Sequence, residues 1–293
     1  MNRLVDLLRL IRPRQWVKSF FVLTGILFAN AWHDKQLLIN ALLATAAFSL
    51  LASAVYIIND LTDRAHDSTH PTKKLRPLAS NTVSATAAVV LMIVLLASSL
   101  SLGLFASIAV TIILLIYLTL NIAYSLYLKH VVILDVFIIA SGFMLRILAG
   151  TIGIGIAPSQ WLILCGLMMA LFLGFAKRRA ELYSMREDGA THRRVLGLYQ
   201  PVLLDELTVV TATCVIITYS LYTMSPATIR AHHTESLIYT VPFVMYGIFR
   251  YLYSLHRQTA GTDPALQIFR DPHLLIAIVG WLIVTLWLIS SAT

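Results

Sequence analysis

The segment Asn59-Asp60-Leu61-Thr62-Asp63-Arg64-Ala65-His66-Asp67 carries an amide and three carboxylates within nine residues. On a continuous helix Asp60, Asp63 and Asp67 stand at i, i+3 and i+7. At ~100° per residue they share one face within an arc of roughly 60°. Three carboxylates so close repel and raise one another's pKa unless a cation intervenes. Hard oxygen donors suit Mg²⁺, which usually takes one or two carboxylates and completes its shell with water and substrate phosphates. Lys73, Lys74 and Arg76 follow, able to hold outer phosphate oxygens. The pattern predicts a metal–diphosphate site with Asp60, Asp63 and Asp67 as ligands. A solvated helix end carrying acids by chance would explain neither the spacing nor the leading Asn59.

Other polar residues are more ambiguous taken singly. Arg146 interrupts an apolar stretch, where an unpaired charge costs roughly 2.5–3.5 kcal/mol or more. It must meet a polar cavity, a partner such as Asp135, or a substrate phosphate. Lys177, Arg178 and Glu181, at i, i+1 and i+4, are either a basic anchor at a helix end or a second half-site. Two bases with one acid suit a phosphate better than an all-carboxylate metal cage. Arg14 and Lys18 flank Trp16 at the start of the first apolar stretch, and Tyr124 and Lys129 border a later loop; ordinary interfacial anchors look the same. His232 and His233 have no carboxylate pair near them and read as exposed loop residues. Cys165 and Cys214 lie in apolar runs, as small packing residues do. There is no Gly-rich nucleotide loop, H-E-x-x-H, paired C-x-x-C or credible Ser-His-Asp set.

These residues need a scaffold, and composition names its solvent. Of 293 residues 58% are hydrophobic and 12% charged, against about 25% charged in an ordinary soluble domain. Apolar stretches long enough to cross a bilayer recur at about 16–33, 37–58, 84–103, 106–127, 131–152, 160–177, 205–224, 236–254 and 273–291. With the N-terminus inside, 19 of the 22 Lys and Arg fall in inner segments, and only Lys35 and Arg230 fall outside. The net charge of +8 is thus a topology signal, and nucleic acid is not an expected partner. Of 14 acids only Asp34 and Glu235 fall outside, an asymmetry the positive-inside rule does not demand and bound cations would explain. The expected fold is an all-α integral membrane protein of about nine transmembrane helices, N-terminus cytoplasmic, forming a single membrane domain over 1–293. Inner loops at about 59–83 and 178–204, following the second and sixth spans, would form a polar cap over the active site. Their separation by four spans hints at an internal duplication. The first stretch, with Arg3, Arg9, Arg12 and Arg14 ahead of it, imitates a signal peptide.

At the acidic motif the chain resembles the UbiA superfamily of intramembrane prenyltransferases, which implies nine helices around a central cavity and Asp-rich motifs binding Mg²⁺–diphosphate. Within that superfamily several segments are similar to the decaprenyl-phosphate phosphoribosyltransferase branch. They are Ile11 to Lys18, Ser53 to Tyr56, Asn59-Asp60, His70 to Lys73, Arg76-Pro77, Leu128 to His130, Leu145-Arg146-x-x-Ala149-Gly150 and Lys177-Arg178-x-x-Glu181-Leu182. Because the first segment belongs to the match, its retention in the mature protein is expected. The resemblance implies transfer of phosphoribose from phosphoribosyl diphosphate (PRPP) to a polyprenyl phosphate, Mg²⁺-dependent and with inversion at C1, in a bacterial inner membrane. It also implies substrate contacts at Arg14, Lys18, Tyr56, Lys73, Arg76, Tyr124, Lys129, Arg146, Lys177, Arg178 and Glu181, with Asn59 orienting the metal shell or the sugar. A second D-x-x-x-D motif is missing where Lys177-Arg178-x-x-Glu181 stands. That departure speaks against the alternative, an aromatic prenyltransferase, whose substrate has one charged end rather than two. A transporter is the remote alternative, and its charges should reach both faces. A homo-oligomer is compatible with the sequence.

Overall fold

A computed structural model of the chain describes residues 3–69, 73–188, 194–257 and 271–292. Every regular element among them is helical. They group into two compact units, Met1–Lys129 with Gly142–Pro158 and His130–Ser141 with Ser159–Thr293.

The first unit is built around α3, Lys35–Thr62. Asp34 starts it by accepting hydrogen bonds from the backbone N–H groups of Gln36 and Leu37. Of the seven helices among the described residues that are long and apolar enough to cross a membrane, α3 is the most buried. Ala41, Ala44 and Ala47 are fully covered along it, and small side chains of this kind let neighbouring helices approach closely in lipid. Before it come α1 (Arg3–Ile11), a 3₁₀ segment (Pro13–Leu23) and the short α2 (Thr24–Phe28); after it come α4 (Arg64–Thr69), α5 (Ala85–Ala106) and α6 (Ile108–Leu126). Helix α7, Leu134–Ala149, contributes its last part to this unit. Val22, Phe48, Leu51, Val110, Leu114 and Leu145 form the core. The opposite faces of α5 and α6 expose Val90, Ile93, Val94, Ile112 and Leu115, a covering suited to lipid chains rather than water.

Seven of the nine expected spans are regular helices. The first is instead 3₁₀ over Pro13–Leu23 and α-helical over Thr24–Phe28. At ~2.0 and ~1.5 Å per residue these pieces add to roughly 30 Å, the thickness of a hydrocarbon core. Tight packing accompanies this stretched form. A Cβ added at Gly150 would meet the Val22 carbonyl oxygen at 1.6 Å, and one at Gly25 would meet the Gly150 carbonyl oxygen at 1.7 Å. Backbone opposes backbone at both positions, so no side-chain movement relieves the clash. Gly150→Ala is expected to lower stability by about 1–3 kcal/mol or more, seen as a fall in melting temperature in detergent and in folded yield.

The second unit contains the first part of α7, then α8 (Gln160–Asp188), α9 (Pro201–Met224), α10 (Pro226–His232), α11 (Val241–Arg257) and α12 (Pro272–Ser290). The eighth expected span is again mixed, a 3₁₀ turn over Ser236–Thr240 leading into α11. Phe172, Ala212, Val215, Ile248, Tyr251 and Leu274 form the core. Asp271 caps α12 through the N–H groups of His273 and Leu274 and accepts a hydrogen bond from Arg250 Nε at 2.7 Å. Burial would raise its carboxyl, but the bonds from Arg250 and Ser254 overcome this and hold it at about 2.

His232 departs from its expected exposure. It is 1% exposed, and its Nε2 lies 3.2 Å from the Tyr222 hydroxyl, because α10 folds back on the end of α9. Burial, and then the neighbouring His233, lower its pKa from 6.5. The unfolded chain therefore takes up the proton first, and the associated stability, present above 6.5, is lost as the pH falls. The melting temperature should drop between pH 7.5 and 5.5, and His232→Gln should flatten that dependence.

Candidate active site

The acidic motif sits where α3 gives way to α4. The helical course nearly continues across the break at Asp63, whose N–H reaches the Asn59 carbonyl at 2.9 Å while the Asp67 N–H reaches the Asp63 carbonyl at 2.8 Å. Asp60 and Asp67 therefore keep the common face that their spacing predicts. Both are almost fully buried, at 2% and 3% exposure. One nitrogen, Arg76 Nη1, bridges them at 3.0 Å from Asp60 Oδ1 and 2.6 Å from Asp67 Oδ2. Asp63 turns aside and pairs with Lys129 Nζ at 2.9 Å. Asn59 accepts a hydrogen bond from the Ser125 hydroxyl, which also donates to the Asn121 carbonyl at 2.7 Å.

The residue that sequence reasoning left out of the site is Arg12. Its Nη2 donates to both oxygens of Asp60, at 2.6 and 2.8 Å, and its guanidinium lies 4.8 Å from the centre of the Tyr56 ring. Arg12 closes α1 in a left-handed conformation, φ 55° and ψ 58°, with its N–H on the Leu8 carbonyl at 3.2 Å. That cap normally falls to Gly or Asn, because a side chain there costs roughly 1–2 kcal/mol. Pro13 immediately stops α1 from continuing. The entry to the 3₁₀ segment is then tied down: Trp16 Nε1 donates to Ser53 Oγ at 3.0 Å, and Ser53 Oγ donates to the Ile11 carbonyl at 2.8 Å. The strained backbone aims Arg12 at Asp60. Arginine followed by proline at a helix end was the available signal.

The donor chemistry fits a divalent cation held by two carboxylates. Arg76 Nη1 already occupies a point shared by Asp60 and Asp67, and both offer hard oxygens. A three-carboxylate cage is not present among the described residues, because Asp63 faces Lys129. Arg14 is exposed, while Lys18, Tyr56 and Tyr124 are half-buried, all in the same unit. The side chain of Lys73 and residues His70 to Thr72 lie outside the described residues.

Arg146 is 6% exposed in the first unit. Its expected partner Asp135 is engaged elsewhere. Nη1 donates to the Gly142 carbonyl at 2.7 Å and Nη2 to the Tyr117 hydroxyl at 3.0 Å, while Phe48, Tyr117 and Phe143 surround the guanidinium at 4.9–5.7 Å.

In the second unit the basic cluster is a structural pin. Arg178 is 1% exposed and holds Asp135 through Nε at 2.5 Å and Glu181 through Nη1 at 2.6 Å. Asp135, fully buried, also accepts from the Tyr199 hydroxyl at 2.7 Å. That hydroxyl in turn accepts the Ile133 N–H at 2.6 Å, and burial followed by the Asp135 bond push its pKa upward. Two of the Arg178 donors, Nε and Nη1, are thus engaged by carboxylates. Lys177 is half-buried beside it.

Residues 19–271 match the UbiA prenyltransferase family. The decaprenyl-phosphate phosphoribosyltransferase of Corynebacterium glutamicum is 31% identical over 283 residues, covering 94% of this chain and 84% of that protein. The enzyme of the same name from Mycolicibacterium smegmatis is 31% identical, covering 96% and 91%. A UbiA homologue from Archaeoglobus fulgidus, solved with DMAPP and Mg²⁺, superposes with a TM-score of 0.72 at 18% identity, covering 97% and 98%. The chain, a multi-pass membrane transferase, belongs to the UbiA prenyltransferase family.

Proposed function

We propose that the protein transfers the 5-phosphoribosyl group of PRPP to a polyprenyl phosphate, working at the cytoplasmic side of a bacterial inner membrane. The bond from C1 to the diphosphate oxygen breaks, and a bond from C1 to a lipid phosphate oxygen forms on the opposite face. The observation that carries this reading is the buried face of Asp60 and Asp67 interlocked with Arg12 and Arg76, in a chain about 31% identical to enzymes named for such a transfer. Acids for a metal and bases for a diphosphate stand within one hydrogen-bond network.

Asp60 and Asp67, with Asp63 one turn from each, would hold Mg²⁺, which supplies neutralising charge for the departing diphosphate. Arg12, Arg76 and Lys129 then exchange their carboxylate partners for phosphate oxygens and act as preorganised charge stabilisers. Asn59, fixed by Ser125, orients the sugar or the metal's water. Arg14, Lys18, Tyr56, Lys73, Tyr124 and Lys177 are proposed as further substrate contacts. The nucleophile needs no general base: a phosphate monoester has a second pKa near ~6 and is anionic at neutral pH.

The test supplies purified protein with Mg²⁺, C1-labelled PRPP and a polyprenyl phosphate, and follows label into the organic phase. Metal-dependent lipid label supports the proposal. Product only from a parallel mixture of prenyl diphosphate and 4-hydroxybenzoate would overturn it in favour of aromatic prenyl transfer.

A further inference from the structure

Arg146 presents an unsettled account. Its side chain is buried in a span, its Nε has no hydrogen-bond partner, and no carboxylate lies within 4.0 Å of it among the described residues. Three aromatic rings offset part of the cost of burying the charge, but rings leave the cation without a counter-ion. Gly142 packs directly against this group: a Cβ there would come within 3.3 Å of Tyr117 Cε2 and 3.7 Å of Arg146 Nη1.

Its distance from the acidic face limits what the ligand can be. Tyr117, the partner of Arg146, lies eight residues before Ser125, the partner of Asn59. That places the guanidinium on the order of 12 Å from the Asn59 level, at ~1.5 Å per residue along α6. The two ends of PRPP span a similar length. About seven bonds separate the 5-phosphorus from the nearer diphosphate phosphorus and about nine from the farther, or roughly 8 and 11 Å at the ~1.2 Å advance per bond of an extended chain. The acceptor phosphate must instead touch C1, only a few bonds from the metal-bound end.

We propose that Arg146, within Phe48, Tyr117 and Phe143, binds a phosphate monoester, and that this is the 5-phosphate of the ribosyl donor. The inference rests on the phosphoribosyl reading and adds to it the residue that recognises the donor's second charged end. Arg146 would thereby separate PRPP from prenyl diphosphates, whose far end carries no charge to pair with it.

The experiment uses full-length protein in detergent and compares wild type, Arg146→Lys and Arg146→Met. Ribose 5-phosphate, which lacks the diphosphate, should raise the melting temperature of wild type in a saturable way, whereas ribose should not. Arg146→Met should melt no lower than wild type, because it removes an uncompensated buried charge, and should lose the response; Arg146→Lys should retain part of it. In the transfer assay Arg146→Met should raise KM for PRPP about tenfold or more, with KM for the polyprenyl phosphate within about twofold of wild type. A rise confined to the lipid KM would overturn the assignment to the ribose phosphate. Arg146→Met that melts several degrees lower yet keeps the ribose 5-phosphate response would make the residue structural and sink the inference, even with transfer by wild type intact. Wild type that neither responds to ribose 5-phosphate nor moves label would end both readings.

Discussion

Asp60→Asn should cut transfer about 10²–10³-fold or more while leaving most of the protein folded. Asp60 takes three guanidinium hydrogen bonds, two from Arg12 and one from Arg76, and is 2% exposed. Asparagine keeps its shape and removes its charge. On the proposed function a bound Mg²⁺ would lose one of its carboxylates, and both arginines would lose the anion that positions them before substrate binds. Folding should suffer less, because the Arg12 and Arg76 side chains are 27% and 31% exposed and can recover hydration. Asp67→Asn should cost less activity, since Arg76 would still be held by Asp60. Label transfer at saturating PRPP and Mg²⁺, beside a melting curve, checks both. An Asp60→Asn protein retaining a tenth or more of wild-type kcat would remove the acidic motif from the reaction.

Spacing made part of this site legible. Asp60 and Asp67 share a face because seven residues make nearly two turns, and the break at Asp63 is too slight to disturb that. Arg12 was hidden because its role depends on a left-handed backbone at a helix end and on a partner 48 residues away. Neither leaves a periodic trace. Lys177-Arg178-x-x-Glu181 is ambiguous for the converse reason: a basic cluster at a helix end has the same letters whether it faces a phosphate or a buried acid. The acid that engages Arg178, the buried Asp135, lies 43 residues earlier and leaves no trace in the cluster itself. Hydropathy located the seven spans that are regular helices among the described residues, but it cannot distinguish an α-helix from the longer rise of a 3₁₀ run. The form of the first span followed from contacts at Gly25 and Gly150 that composition does not encode.

The ion pair of Arg178 with the buried Asp135 carries its own large expected effect. Arg178→Met should destabilise the second unit by about 3–5 kcal/mol, because it strands Asp135 as a buried charge supported among the described side chains by the Tyr199 hydroxyl. Adding Asp135→Leu should recover much of that loss, since removing both charges leaves no uncompensated ion. A residue that binds substrate behaves differently: its removal spares the melting temperature and raises KM, and a second substitution at Asp135 restores nothing. The double-substitution cycle, read in melting temperature and in KM for PRPP, separates the two. Loss of stability in the single variant with recovery in the double confirms the pin. A stable Arg178→Met with a raised KM would return the residue to the phosphate and reopen the charge assignment that placed Arg146 there instead.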